Sequence, residues 1–246
     1  VTELLPLVRE NLSSTGFFRP ELALTFGTMA LFLVDLAWKK HPGRAGRLAA
    51  SALLVLAVTA GLLAVQPLEA RALFNGMIVS DGFATFFKWL FLAAGALTVM
   101  IAAPGKEFPP ERLGQFYALL MAVVLGMFLM ASAKDLLMVY LAIELVSMTS
   151  YVLAGFKKGD RRAAEASLKY VIYGGVASGV MLFGMSYLFG LLRTTDLFEL
   201  AVRIQALQAT GLPAAATKLT LVVALVFVTA GIGYKVAAVP WHMWCP

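Results

Sequence analysis

The sequence predicts an all-α polytopic membrane protein of about seven transmembrane helices, the last of them discontinuous. Three observations lead there. Hydrophobic residues make up 61% of the 246, mean hydropathy is +0.84, and only 14% of residues are charged. A water-soluble domain of this length cannot hide so much apolar surface, so lipid must solvate part of it. The apolar residues also gather into runs of bilayer length, near 20–38, 48–65, 84–103, 114–133, 135–156, 163–192 and 219–239; a span needs roughly 20 such residues.

The sixth run is long enough to tilt or to extend beyond the lipid. Only Ala133, Lys134 and Asp135 join the fourth run to the fifth, which forces a tight hairpin. Residues 196–208 place apolar side chains at helical spacing with charges between, the pattern of an amphipathic helix at the interface or in a loop. Cleavable signal peptides carry a short apolar core; none is evident here.

Loop charge predicts orientation. Lys39, Lys40, Arg44 and Arg47 fall in one loop, Lys106 and Arg112 in another, and Lys157, Lys158, Arg161 and Arg162 in a third. These are alternate loops, and the positive-inside rule places them in the cytoplasm, with the N-terminus outside. The net charge of +6 is thus read as orienting loop charge and not as a nucleic-acid surface. The one cysteine, Cys245, rules out a disulfide framework or an iron–sulfur cluster held by this chain alone, and two distant histidines, His41 and His242, make no metal cage. Neither a dinucleotide fingerprint nor a phosphate loop occurs, so redox chemistry is expected elsewhere.

An ionisable group near the bilayer centre costs about 2.5–3.5 kcal/mol on insertion scales, so each one asks for a reason. Glu144 lies nine residues beyond Asp135, about 14 Å into a core of roughly 30 Å. A short carboxylate cannot snorkel from that depth. Tyr140, Ser147 and Tyr151 share its helix face and offer hydroxyls. The group serves either ion movement or helix adhesion. Lys169 lies about 9 Å into the sixth run, where snorkelling or a bridge to Glu165 competes with a functional role. Tyr173 follows it on the same face. Lys235 sits in GIGYKVAAVP, after Gly231 and Gly233 and before Pro240. Proline deprives a carbonyl of its helical donor, and an orphan carbonyl is tolerated in a membrane only beside protein or water. The alternatives for Lys235 are a broken helix lining a hydrated passage and a snorkelling lysine at the lipid's edge.

Lys88, one turn inside the third run, is read as snorkelling, and Asp35 as interfacial. Gly175 and Gly179 form a small-xxx-small pair suited to close helix packing. Buried carboxylates and lysines can move protons, because burial and a neighbouring opposite charge shift their affinities in opposing directions.

The run LKYVIYGGVASGVMLFGMSYLFG, together with Glu144 and Lys169, resembles the subunit N family of proton-pumping NADH–quinone oxidoreductase, respiratory complex I. The terminal YKVAAVPWHMWCP is similar to that family's broken seventh helix. The resemblance is strong from about Gln115 to Pro246 and looser before. It implies an antiporter-like fold of two inverted repeats, of which this chain is an N-terminal half: a three-helix segment over 1–112 and the first repeat over 113–246. It implies a proton path through Glu144, Lys169 and Lys235, with His242 where the family often has a histidine. NADH, FMN, iron–sulfur clusters and quinone would belong to partner subunits, and this chain would hold no cofactor, no metal and no catalytic residue of its own. Other membrane subunits of the complex, antiporter-like ones included, would be its partners in a bacterial inner membrane. Cys245 stands where threonine is expected, and the family continues past Pro246 with parts a complete path needs. A multi-subunit sodium/proton antiporter shares the same glutamate and lysine logic, and a scaffold whose charges only hold helices together is the other alternative.

Overall fold

Proline, aspartate and glycine set the helix boundaries in the computed structural model, which describes residues 4–39, 43–105, 109–209 and 215–244. Lys40, His41, Lys106, Cys245 and Pro246 lie outside the described residues. A short helix, α1 (Leu4–Ser14), precedes α2 (Arg19–Ala37), whose first turn carries Pro20, a residue with no N–H to leave unsatisfied there. Gly43, at φ +77°, leads into α3 (Arg44–Val65). The Asp81 carboxylate accepts from the Ala84 N–H at 2.7 Å and starts α4 (Gly82–Ala102). Next come α5 (Leu113–Ser132), α6 (Leu136–Ala154) and α7 (Arg161–Leu192), the last begun by Asp160 accepting from the Arg162 N–H. The amphipathic segment forms α8 (Leu197–Ala209), and α9 (Ala215–Lys235) ends the helical series. Among the described residues seven helices, α2 to α7 and α9, are long and apolar enough to cross a membrane.

Between α3 and α4 the chain forms an antiparallel ribbon, β1 (Arg71–Leu73) and β2 (Ile78–Ser80), in the register Arg71↔Ser80. Its turn includes Phe74, Asn75 and Gly76, all at positive φ. The Asn-Gly pair is a strong hairpin signal, and the ribbon adds a strand element to a chain expected to be wholly helical.

The chain divides into two compact units, residues 1–133 with 141–153, and residues 134–140 with 154–246. This is a division by packing. In the first unit α2 packs on α3 and α5, and α4 packs on α3 and α5, which puts α2 and α4 at opposite corners of a four-helix bundle. Leu24, Leu31, Leu48, Leu56, Leu92, Val124 and Phe128 fill its interior. The hairpin lies at one end: Phe74 meets Phe18 edge-on at 5.1 Å, and Ile78 bridges Ala133. On α6, Ala142 and Val146 face Gly126 of α5, where a Cβ would stand 2.6 Å from the Val146 side chain.

In the second unit α9 packs along α7. Gly184 and Gly231 permit the approach: a Cβ on Gly231 would meet the Met181 Cβ at 2.4 Å, and one on Gly184 the Ala224 carbonyl at 2.8 Å. Gly175 and Gly179, expected to provide the close packing, are exposed and contact nothing within 4 Å of a built Cβ. The face of α7 turned to α9 runs instead through Gly174, Ala177, Met181 and Gly184, about 100° round the helix from Gly175.

Candidate functional site

Glu144 lies on the side of α6 opposite the one packed on α5. With Ala142 and Val146 facing α5, a rotation of 100° per residue turns Glu144 directly away. Tyr140, Ser147 and Tyr151 fall on the Glu144 side by the same count. Ser147 and Tyr151 are buried, while Tyr140 and Glu144 are half-buried. The helix therefore packs one face on α5 and turns away from it another, where the carboxylate and hydroxyls lie among Leu137, Leu141 and Met148.

Lys169, on α7, donates to Glu165 at 2.6 Å, and both side chains are more than half exposed, at 57% and 60%. The i,i+4 bridge anticipated from sequence is thus the arrangement found. Tyr173, one turn on, is exposed.

Lys235 is the last residue of α9, and the helix stops five residues before Pro240. The Ala237 N–H bonds to the Tyr234 carbonyl at 3.0 Å and the Ala238 N–H to the Gly233 carbonyl at 2.8 Å. Ala237 is left-handed at φ +51°. This paired closure is a Schellman cap, so local backbone geometry terminates the helix ahead of the proline. A cation on the final residue suits the negative pole of the helix. Beyond the cap, Trp241 folds back against Gly233, where a Cβ would stand 2.8 Å from the indole. Tyr173, Ala177, Gly231, Tyr234 and Trp241 line a cavity of about 220 Å³ beside the break. Of the residues singled out from sequence, Tyr173 and Gly231 meet there. Its walls are largely apolar, with the two tyrosines supplying the polar handles. Pro240 and His242 are exposed, and His242 lies in the short 3₁₀ turn Trp241–Trp244.

One ionic arrangement escaped the sequence reading. Glu21 of α2 and Lys88 of α4 form a salt bridge at 2.6 Å, with side chains 1% and 3% exposed. Lys88 was expected to snorkel. Instead it turns into the bundle, bonding across the corner-to-corner diagonal, with its ammonium 5.8 Å above the Phe128 ring. Opposite charges at similar depth in two spans were the available signal; a separation of 67 residues hides the pair from any i,i+4 search. At the other end of α2, Asp35 is buried against Arg44, which bonds it at 2.5 Å and reaches the Glu111 carbonyl at 3.2 Å.

In the second unit, residues 134–137 and 194–197 clasp each other. Leu136 N–H donates to the Thr195 carbonyl at 2.7 Å, and Leu197 N–H to the Lys134 carbonyl at 3.0 Å. Asp135 is buried and accepts from the Thr195 hydroxyl and from the Leu137 N–H that opens α6. The Glu199 N–H, then the Lys134 ammonium, hold the Asp196 carboxyl below the ordinary range. The Thr194 hydroxyl, then Arg203, do the same for Glu199. Lys134 and Asp135 thus form a fastening, beyond the simple turn expected of them.

Residues 133–246 match the family model described as NADH:quinone oxidoreductase/Mrp antiporter, TM. NADH-quinone oxidoreductase subunit N of Anaeromyxobacter sp. (strain Fw109-5) is 72% identical over 243 residues, 98% of this chain and 47% of that protein. The same subunit of Chlorobium chlorochromatii is 40% identical over 99% of this chain and 46% of its own length. Among solved structures, respiratory complex I from Thermus thermophilus with bound aureothin matches at a TM-score of 0.69 and 27% identity, over 92% of this chain and 45% of that one. An archaeal membrane-bound sulfane sulfur reductase shares the fold, at a TM-score of 0.73 and 17% identity over 92% of this chain and 46% of that one. The chain spans about half the length of the curated relatives it matches. Seven bilayer-length helices, their ionisable residues and this similarity along nearly the whole chain lead to one assignment: the protein is a multi-pass membrane protein that resembles subunit N of NADH-quinone oxidoreductases, and its residues 133–246 carry the NADH:quinone oxidoreductase/Mrp antiporter domain.

Proposed function

We propose that the full-length protein contributes a proton-translocation path to a membrane-bound NADH–quinone oxidoreductase, driven by NADH oxidation with quinone as acceptor. The observation that carries this reading is the 72% identity to a subunit N over 98% of the chain, in a sequence that also places Glu144, Lys169 and Lys235 on three bilayer-length helices. These three are the proposed ionisable groups of the path. Tyr140, Ser147, Tyr151, Tyr173 and His242 support it, and the helix break with Gly231, Gly233 and Pro240 admits it. Desolvation disfavours the charged form of each group and an approaching opposite charge favours it, so a change in spacing loads or releases a proton. One charge moving across 100 mV requires about 2.3 kcal/mol, equivalent to a shift of roughly 1.7 pKa units.

In this reading NADH, FMN, iron–sulfur clusters and quinone sit on partner subunits, other antiporter-like subunits flank the chain, and the membrane is the bacterial plasma membrane with the N-terminus outside. Residues 113–246 form the first of two repeats. Glu144→Gln in the full-length protein tests the reading. With assembly unchanged, protons moved per NADH oxidised should fall; unaltered pumping by a normally assembled complex would assign Glu144 to helix adhesion alone.

The family model also embraces Mrp antiporters, which favours one second reading, a cation/proton antiporter subunit. Vesicle assays at fixed pH with sodium varied separate the two: proton movement that depends on sodium selects the antiporter.

A further inference from the structure

Two buried oxygens at the hairpin end of the first unit, Glu21 Oε2 and Gln66 Oε1, have no hydrogen-bond donor among the described residues. They belong to neighbouring helix ends. Glu21 is in the first turn of α2, and its other oxygen takes the Lys88 ammonium. Gln66 follows α3; its amide nitrogen donates to the Phe17 carbonyl at 2.8 Å and to Ser80 Oγ at 3.0 Å. Phe17 lies one turn before Glu21, so the amide and the carboxylate occupy adjacent layers of the same bundle end. A buried acceptor left without a donor costs about 1–3 kcal/mol, and more when charged. Water relieves it by donating, and a carboxylate is also relieved by taking a proton.

The layer has a cavity on one side. A cavity of about 290 Å³ opens at the hairpin end, walled by Phe17, Arg19, Pro20, Val65 and Gln66. Pro20 and Gln66 line it, and the Glu21–Lys88 pair lies behind them. On the other side of the pair the interior is closed by Leu24, Leu56, Val124 and Phe128, each no more than 3% exposed. The charged groups around the layer are few. Lys88 faces Glu21 from α4; Arg19 walls the cavity; Arg71 stacks on the Phe17 ring at 4.8 Å; Asp81 is engaged in capping α4. The segments of α3 and α5 at this level, from Leu56 to Val65 and from Val124 to Ser132, carry no charge. The Asp35–Arg44 pair is 14 residues further along α2, about 21 Å away.

We propose that Glu21 and Lys88 form a proton-binding site hydrated from the hairpin end alone, an ionisable site separate from Glu144, Lys169 and Lys235. In the resting pair the carboxylate and ammonium neutralise each other. A hydronium ion arriving through the cavity gives its proton to Glu21, water is left behind, Lys88 keeps its charge, and the site gains one positive charge. The apolar plug denies that proton any onward step through the bundle.

The test uses the full-length protein in sealed vesicles, read by infrared difference spectroscopy while each compartment is acidified in turn. Acidifying the compartment that the hairpin faces should raise a protonated-carboxyl band that shifts in heavy water, disappears in Glu21→Gln and moves in Glu21→Asp. Absence of the band in the unmodified protein, or its response to the opposite compartment only, overturns the proposal. A second measurement needs no variant. Hydroxyl-radical footprinting by X-ray radiolysis labels side chains beside bound water. With each rate divided by the intrinsic reactivity of its residue type, Phe128, fully buried yet close to Lys88, should be several-fold less protected than the equally buried Val124; equal protection of both shows a dry pair and overturns the site.

Discussion

Two carboxylate–lysine pairs in this protein have the same length and opposite surroundings. Glu21–Lys88 and Glu165–Lys169 both close at 2.6 Å, yet the first pair is 1% and 3% exposed and the second 60% and 57%. The first joins two helices through the interior of a bundle, and the second joins one turn of a single helix to the next. Distance alone therefore says little about what an ion pair does. A pair in a bundle interior has shed most of its hydration, so either partner left alone is a largely buried charge. An exposed pair trades one partner for water at small cost, and its lysine remains available for exchange. The chain thus holds one interior and one exposed use of the same chemistry.

Several experiments would break or sharpen that contrast. The largest effect belongs to the interior pair: Lys88→Met alone should destabilise the first unit by about 3–5 kcal/mol, with Glu21→Leu/Lys88→Met recovering most of it. Unfolding of the full-length protein in lipid measures both, and a double variant as unstable as the single would remove the pair from the stability argument. A packing control comes next. Gly231→Leu forces a side chain into the α7–α9 contact and should cost about 1–3 kcal/mol by the same measurement. Lys169→Met should leave unfolding where it was, while lowering proton movement if Lys169 lies on the proposed path; a large loss of stability would make the exposed pair structural after all. The smallest effect concerns the clasp at 134–137 and 194–197. Asp196 and Glu199 both have carboxyls held below their ordinary range. Their contribution is complete above that range and is lost as pH falls through the depressed values. Protection of the α8 amides, measured as the exchange rate relative to the intrinsic rate at each pH, should hold from neutrality down to the ordinary carboxylate range and fall only in stronger acid. Loss of protection near neutrality would contradict the assigned partners.

The spans were legible because hydropathy is local: the apolar run expected at 84–103 became α4 at 82–102, and the amphipathic stretch from 196 became α8. The Glu144 face was legible for the same reason, since helical spacing alone gathers Tyr140, Ser147 and Tyr151 beside it. Partners across helices were not. Lys88 reads as snorkelling because its depth is visible in sequence and its direction is not, and direction depended on a carboxylate 67 residues earlier. Gly175 and Gly179 show the same limit: the motif is local, but whether a second helix lies over it is not. At the end of α9 the proline drew attention, yet the chain had already closed the helix with Ala237 in a left-handed turn. The hairpin carried its own marker, Asn75-Gly76, in a loop between two long apolar runs.

The diagonal bond between Glu21 and Lys88 also bears on how four oily rods choose one arrangement. In lipid, leucine and alanine gain little by meeting each other instead of acyl chains, so apolar faces tolerate sliding and rotation. A lone polar contact inside does not: turning α2 or α4 by a single residue swings one charge about 100° away from its mate. The bond therefore works as a key, admitting one alignment of the corners and rejecting neighbouring ones.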